Sequence, residues 1–263
     1  MSSRSVVLLL TLSLTNSPIR AHAQNEMPRP ELLIINGLIG GATAAITASI
    51  QQRPIRRAVI LGAIGGATVF AGKCFIGNSR PLTDWIGHQT VAVGSSIVAN
   101  ASMGRGAFER IVVPLGPVRF YYDTKQRRTR IKLDLFEAGV AAYYARKPNT
   151  SVDWTLSAKH DALILFDKAA PTNFEVGGVI KTWSRAPSLL DHELIHVAQD
   201  QFVSTAWEDP LEEWAIPMLP GGKWVNRYFG VGILAPVWAL ANAAIPRFDR
   251  PWEREATAVE ARC

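Results

Sequence analysis

Two uncharged, glycine-rich stretches near the N-terminus restrict the fold more than any other feature of the chain. Leu32 to Ile50 is nineteen residues without a charge, and Ala58 to Gly72 is a second such run, closed by Lys73. The runs repeat each other: Gly37-Leu-Ile-Gly40-Gly41-Ala-Thr in the first, Gly62-Ala-Ile-Gly65-Gly66-Ala-Thr in the second. Each holds a glycine pair four residues apart (Gly37/Gly41 and Gly62/Gly66), the spacing that lets two helix backbones approach closely. Strands are disfavoured, because glycine offers no side chain to pack and weakens a strand interior. The pattern therefore predicts a helical hairpin over residues 24–79, turning at Arg53, Pro54, Arg56 and Arg57.

Such a hairpin has two homes, a membrane or the interior of a soluble domain. Apolar stretches of this length suit a bilayer, and arginines at the turn place it on the cytoplasmic side, with both helix ends outside. The second run reaches full length only if it continues through Phe75 and Ile76, with Lys73 snorkelling to the interface. The membrane hairpin is the reading adopted, with the domain that follows on the outer face.

The first 23 residues have the three parts of an export signal. Arg4 supplies a positive start, Val6 to Leu14 is an apolar run too short to cross a bilayer, and Ala21-His22-Ala23 offers small residues before Gln24. Cleavage there lowers the net charge from +6 to +4, since Arg4 and Arg20 are the segment's only charged residues. The expected location is the periplasmic or extracellular face, attached to the inner membrane. Export exposes Cys74 and Cys263, the only two cysteines, to an oxidising compartment in which they can pair. Two cysteines cannot build a disulfide scaffold or a four-thiolate metal site.

With 48% hydrophobic and 19% charged residues, disorder is excluded. Residues 80–263 are expected to form one α+β domain. Trp85 to Met103 has helical character. Ile111–Leu115, Val118–Tyr122 and Thr129–Leu135 are strand-like, and the basic cluster Lys125, Arg127, Arg128, Arg130 and Lys132 lies at the tip of a hairpin between the last two. No aromatic interleaving or binding motif accompanies the cluster, so no nucleic-acid partner is expected. Trp154–Ser157 and Ala162–Phe166 are further strand candidates. Phe174–Trp183 carries Gly177-Gly178, the mark of a bulge or of a close backbone approach.

The strongest chemical signal is His192-Glu193-Leu194-Ile195-His196, in an apolar-periodic stretch from Ser188 to about Val203 that Pro187 introduces. Four-residue spacing puts both imidazoles on one helix face, one turn apart. That arrangement suits two nitrogen ligands to one Zn²⁺, with Glu193 beside them as the general base that takes a proton from the attacking water. Asp191 and Asp200 either accept hydrogen bonds from the ligand histidines or are solvated helix carboxylates, and the second is the reading adopted. A third histidine six residues on is absent, since position 202 is Phe. The remaining ligand must come from elsewhere, and acidic candidates lie in the last helix: Glu253, Glu255 and Glu260. That helix has an apolar stripe of Trp252, Ala256, Val259 and Cys263, flanked by both Glu253 and Glu255, so periodicity does not choose between them.

On His192-Glu193-x-x-His196 and a later Glu253-x-Glu255-Ala256, the last 75 or so residues resemble the gluzincins, zinc metallopeptidases with two His and one Glu as ligands. The resemblance implies a zincin-like fold, with an antiparallel-rich sheet beside the metal-binding helix and an edge strand that holds a peptide substrate, falling here at Phe174–Trp183. It also selects Glu253 as the metal ligand, because Ala256 then takes the family's small-residue place and Thr257 the place of its orienting acid. Thr257 departs from the usual Asp there but keeps a hydroxyl. Glu260 reads as solvated. Gln199 is shared with uncharacterised bacterial relatives. Tyr228 and His160 are candidates for oxyanion stabilisation.

One run tests this assembly. Tyr228 to Ile245 is eighteen residues without a charge. If it crossed a membrane, His196 and Glu253 would be on opposite sides, so it is expected to be a buried or interfacial helix broken near Pro236. The function expected is zinc-dependent peptide hydrolysis on a peptide or protein substrate. The rival is a non-catalytic membrane-associated protein with a structural zinc site.

Overall fold

A computed structural model describes residues 29–76, 80–168, 174–176, 178–184, 186–234, 237, 240–241, 244–246 and 250–262. The expected signal segment and Cys263 lie outside them, as do Pro236, Asp249 and Gly177.

The chain is α+β and mostly helical. Helices α1 (Arg29–Ile50) and α2 (Ile55–Ile76) form the expected hairpin, and α3 (Pro81–Ser102) packs on α2 as a third antiparallel helix. The glycines explain how closely they pack. A methyl group placed on Gly62 would lie 2.5 Å from the Gly40 carbonyl, and one on Gly40 would strike Gly66. Across the other face of α2, Gly65 and Gly94 oppose each other, as do Gly72 and Gly87. A Cβ on any of these four would meet its partner's carbonyl oxygen at 2.7 Å. Glycine is required here because the facing backbone, together with the side chains of Val69, Val91, Val98 and Ile76, leaves no room for a Cβ.

Both α1 and α2 are long and apolar enough to cross a membrane. Their outer faces expose Leu33, Ile34, Leu38, Ile39, Val59 and Ile60. Lys73, however, does not snorkel: it is 3% exposed, and its ammonium is paired inside the protein. Desolvating an ammonium is tolerable only with such partners. Cys74 is disulfide-bonded.

After α3 come β1 (Arg110–Leu115), β2 (Val118–Asp123) and β3 (Arg128–Asp134), an antiparallel meander whose tip carries Lys125 and Arg127, while the rest of the expected tip cluster, Arg128, Arg130 and Lys132, lies along β3. A short strand β8 (Phe229–Gly230) joins β3 in parallel. Arg119 is buried at the base of this sheet, where Asp134 and Glu137 accept its hydrogen bonds, and Lys132 is buried with Asn226 as partner. The cluster is thus not wholly solvated: Lys132 is buried, and Arg130, although exposed, lies 3.6 Å from the Glu213 carboxylate.

The segment after β3 is helix α4 (Leu135–Ala145), capped by Asp134 accepting from the Glu137 amide. A second sheet has the order β4-β5-β7-β6, built from β4 (Thr150–Val152), β5 (Leu163–Asp167), β6 (Phe174–Val176) and β7 (Val179–Thr182). Trp154–Ser157 is not a strand; it opens helix α5 (Trp154–His160), because the Asp153 side chain accepts the Leu156 amide and starts a helix. Phe174–Trp183 is a tight hairpin in which Gly178 takes φ +70° and only β6 lies at the sheet edge.

Helix α6 (Pro187–Phe202) carries the two-histidine motif. It continues through a π-helical turn, Val203–Glu208, into α7 (Asp209–Ala215). This long rod runs along α1: Gln199 is near Asn36, Trp207 donates to Thr43, and Gln51 donates to the Pro210 carbonyl. Helix α8 (Gly222–Tyr228) precedes β8, and α9 (Pro251–Arg262) ends the described chain, burying Ala256 and Val259 against α6. Between them, the residues of the Tyr228–Ile245 run that are described make a turn at Ile233–Leu234 and are helical at Val237, Leu240–Ala241 and Ala244.

The α1–α2 turn and the basic β2–β3 tip occupy one end of the molecule. Arg53 donates to the Met103 carbonyl, Asn100 donates to the Arg110 carbonyl at 2.7 Å, and Arg110 pairs in register with Asp123. The topology expected from the sequence, with the turn and this tip on opposite sides of a bilayer, does not fit. Contacts this short cannot straddle a hydrocarbon core about 30 Å thick.

Candidate metal centre

Helix α6 begins after Ala186 in extended conformation, with Pro187 in its first turn, where a missing N–H costs nothing. Leu190, Leu194, Ile195, Val197 and Ala198 are buried, which turns the His192/His196 face toward α9. There His192, His196 and Glu253 converge, and together they can hold a metal ion. The two imidazole Nε2 atoms are 3.1 Å apart, and Glu253 Oε2 lies 3.3 Å from the first and 3.4 Å from the second.

These distances have a simple meaning. Ligand atoms about 2.0–2.1 Å from a tetrahedral zinc stand about 3.3 Å from one another. Three electron-rich atoms this close repel unless a proton or a metal ion lies among them. The same preference is visible in His192: burial pushes its pKa down, but the hydrogen bond to Glu253 and the charges of Glu193 and Glu260 outweigh burial and hold it above the ordinary value.

Each histidine is oriented through its other nitrogen. His196 Nδ1 is 2.7 Å from Gln199 Oε1, and His192 Nδ1 is 3.2 Å from Glu260 Oε2. Both partners can accept a proton, so each ring can carry Nδ1–H and leave its Nε2 lone pair for a metal at the centre. Glu260 is therefore not merely solvated. Thr257, which the family register put in the orienting place, donates instead to the Glu253 carbonyl of its own helix. A residue seven positions after Glu253 lies on the same helix face, and that spacing was the available signal for Glu260.

Glu255 stands outside the triad. Its carboxylate accepts from Lys73 at 2.7 Å, Asn36 at 2.8 Å and Gln199 at 2.7 Å. Burial pushes its pKa up, but the Lys73 charge and these hydrogen bonds hold it below the ordinary value.

Glu193 is buried, 4% exposed, close enough to His192 to act on its charge. Burial above all, with the charges of Asp200, Glu193 and Glu137, pushes up the pKa of Glu175 on the edge strand β6, whose carboxylate accepts the Gly178 amide at 2.6 Å. Asp200 is not a solvated carboxylate. Burial pushes it up to about 6, and it belongs to a group of acids with Glu137 and Glu175 around Gly178. Asp191 is buried as well. The two oxyanion candidates are engaged elsewhere: His160 is 2.6 Å from the Asp84 carboxylate, and Tyr228 lies beside Trp224 under the Arg227 guanidinium.

Glu253 follows the Tyr228–Ile245 run and yet reaches both histidines, which fits a run that returns to the side it left. Comparison with protein-family models, with curated proteins and with solved structures finds no match to this chain.

Proposed function

We propose that this protein is a zinc-dependent hydrolase of peptide bonds, exported and attached to a membrane by the aliphatic face of α1 and α2. The observation that carries the reading is the near-equilateral triangle of His192 Nε2, His196 Nε2 and Glu253 Oε2, with edges of 3.1–3.4 Å. Three protein ligands around zinc leave a fourth position open, the arrangement of catalytic rather than closed structural sites. Zinc held there would supply Lewis acidity to a peptide carbonyl.

The chain's own groups have separable tasks. Glu193 takes the proton of the attacking water and returns it to the leaving amine. Glu260 and Gln199 keep the imidazoles in the ligating tautomer. Strand β6 lies at a sheet edge beside α6, so its free backbone groups can pair with an extended peptide. This juxtaposition supports the zincin-like reading of the sheet and helix.

The test is Glu193→Gln in the full chain. Hydrolysis of a quenched-fluorescence peptide library should fall at least about 100-fold, with zinc content unchanged. A wild-type protein that binds zinc and shows no Glu193-dependent turnover on any peptide would favour the rival, a structural zinc site in a membrane-associated protein.

A further inference from the structure

Four side chains from four helices form one hydrogen-bonded line that ends on the metal centre. Lys73 of α2 donates to Glu255 of α9 at 2.7 Å, Gln199 of α6 donates to the same carboxylate at 2.7 Å, and Gln199 Oε1 faces His196 Nδ1 at 2.7 Å. Asn36 of α1 joins at the far end, accepting from Lys73 at 3.1 Å and donating to Glu255 at 2.8 Å.

The line has a fixed direction. An ammonium is donor only, and an ionised carboxylate is acceptor only. Glu255 takes three donors, so it presents nothing but acceptor oxygens to Gln199. The Gln199 amide must then turn its NH₂ toward Glu255, where the Trp252 carbonyl accepts its other proton at 3.0 Å. A flipped amide would set oxygen against oxygen at both places. With NH₂ committed, the amide oxygen is the group left for His196, and it accepts a proton only from Nδ1–H.

We infer that Lys73 is a positioning residue for the metal centre: through Glu255 and Gln199 it fixes His196 in the Nδ1–H tautomer, so that the apolar hairpin is part of the metal site rather than only an anchor. The inference rests on the zinc reading above. It also accounts for a buried lysine that membrane insertion of α2 does not explain. The burial of Lys73, at 3% exposed, costs free energy unless its partners are in place.

The experiment uses the full chain and four variants: Lys73→Met, Gln199→Glu, Glu255→Gln, and the double exchange Gln199→Glu with Glu255→Gln. Each single change breaks the donor and acceptor order. The double exchange restores it from position 73 through 255 and 199 to His196, while the carboxylate at 199 loses the donor to the Trp252 carbonyl. The amide introduced at position 255 accepts from Lys73 and donates to the carboxylate introduced at position 199, and that carboxylate still accepts from His196. Zinc affinity, measured by chelator competition, should fall about 10- to 100-fold in each single variant, the range of outer-shell losses, and should recover in part in the double exchange, above either of its singles. In metal-free protein, long-range ¹H–¹⁵N correlation should show His196 as Nδ1–H in the wild type and as a mixture of tautomers in Lys73→Met.

A double exchange no better than its singles overturns the relay. So does a Lys73→Met protein with unchanged affinity and tautomer. If Lys73→Met does not fold, the exchange pair decides. Absence of zinc binding by wild type would instead remove the proposed function, while the metal-free tautomer would still judge the relay.

Discussion

His192 Nδ1 faces the Glu260 carboxylate at 3.2 Å, while Thr257, one turn nearer to Glu253, spends its hydroxyl on the Glu253 carbonyl. In the proposed zinc centre the orienting acid would therefore stand seven residues after Glu253 rather than four. Glu260→Gln should weaken zinc binding about 10-fold, the lower end of outer-shell effects. Thr257→Val should leave affinity nearly unchanged. Isothermal titration of both variants separates the assignments, and equal losses would show that Thr257 contributes after all.

Glu253 and Glu255 should also separate. Glu253→Gln removes a ligand atom and should cost at least about 100-fold in zinc affinity, whereas Glu255→Gln only disturbs the support of His196 and should cost about 10-fold. The reverse order would mean that the last helix is placed two residues out of register.

The helical seam gives a stability prediction. A Cβ at Gly94 would meet the Gly65 carbonyl at 2.7 Å, and neither backbone can yield without parting α2 from α3. Gly94→Ala should lower unfolding free energy by about 1–3 kcal/mol, the usual range for overpacking. Chemical denaturation followed by far-ultraviolet circular dichroism measures it. Unchanged stability would imply a looser seam.

His88 of α3 adds a pH dependence. It is 2% exposed, and burial pulls its pKa down to about 4, while its unfolded value is near 6.5. Between those values the unfolded chain holds the proton and the folded one does not. Stability from this group is therefore complete above about pH 6.5 and is lost as pH falls toward 4. Going from pH 7 to 5 should cost about 2 kcal/mol through His88. His88→Gln should remove that part of the acid sensitivity. Parallel denaturation curves at the two pH values for both proteins provide the check, and identical slopes would reject the assignment.

A final prediction concerns membrane geometry. Because Arg53 bonds to Met103, and Asn100 to Arg110 opposite Asp123, the hairpin turn and the basic tip lie at one end of the body. Single cysteines at Gln52 and at Gln126, in chains with Cys74 and Cys263 replaced, should react alike with an impermeant maleimide added to intact cells. Labelling of one and protection of the other would require the two regions to separate in the membrane.

What is legible in the sequence is local. The spacing of His192 and His196 and the pairing of β2 with β3 around a basic tip depend on periodicity within a few residues, and the helical hairpin rests on nearby glycines. Trp154 misleads because an aromatic start suggests a strand, although Asp153 supplies a helix cap. The outer layer of the centre is not legible. Gln199, Glu260 and Lys73 acquire their roles only when helices from both ends of the chain meet. Lys73 looks like a membrane-end lysine because its partner, Glu255, is 182 residues away. Family register selects Glu253 over Glu255, and the reason for the difference, the Lys73 and Asn36 contacts, is wholly tertiary.

The backbone contacts along α1, α2 and α3 also bear on how freely such a sequence can change. On the aliphatic outer face, one branched side chain can replace another, because nothing in the fold measures its shape. At the glycines of the seam there is no side chain left to trim, and any addition acts as a wedge. Asn36 and Lys73 sit on the same two helices, so a wedge there would shift them against Glu255. Drift in this protein therefore has room on its surface and almost none between its helices, where tolerance is limited by the absence of atoms rather than by their identity.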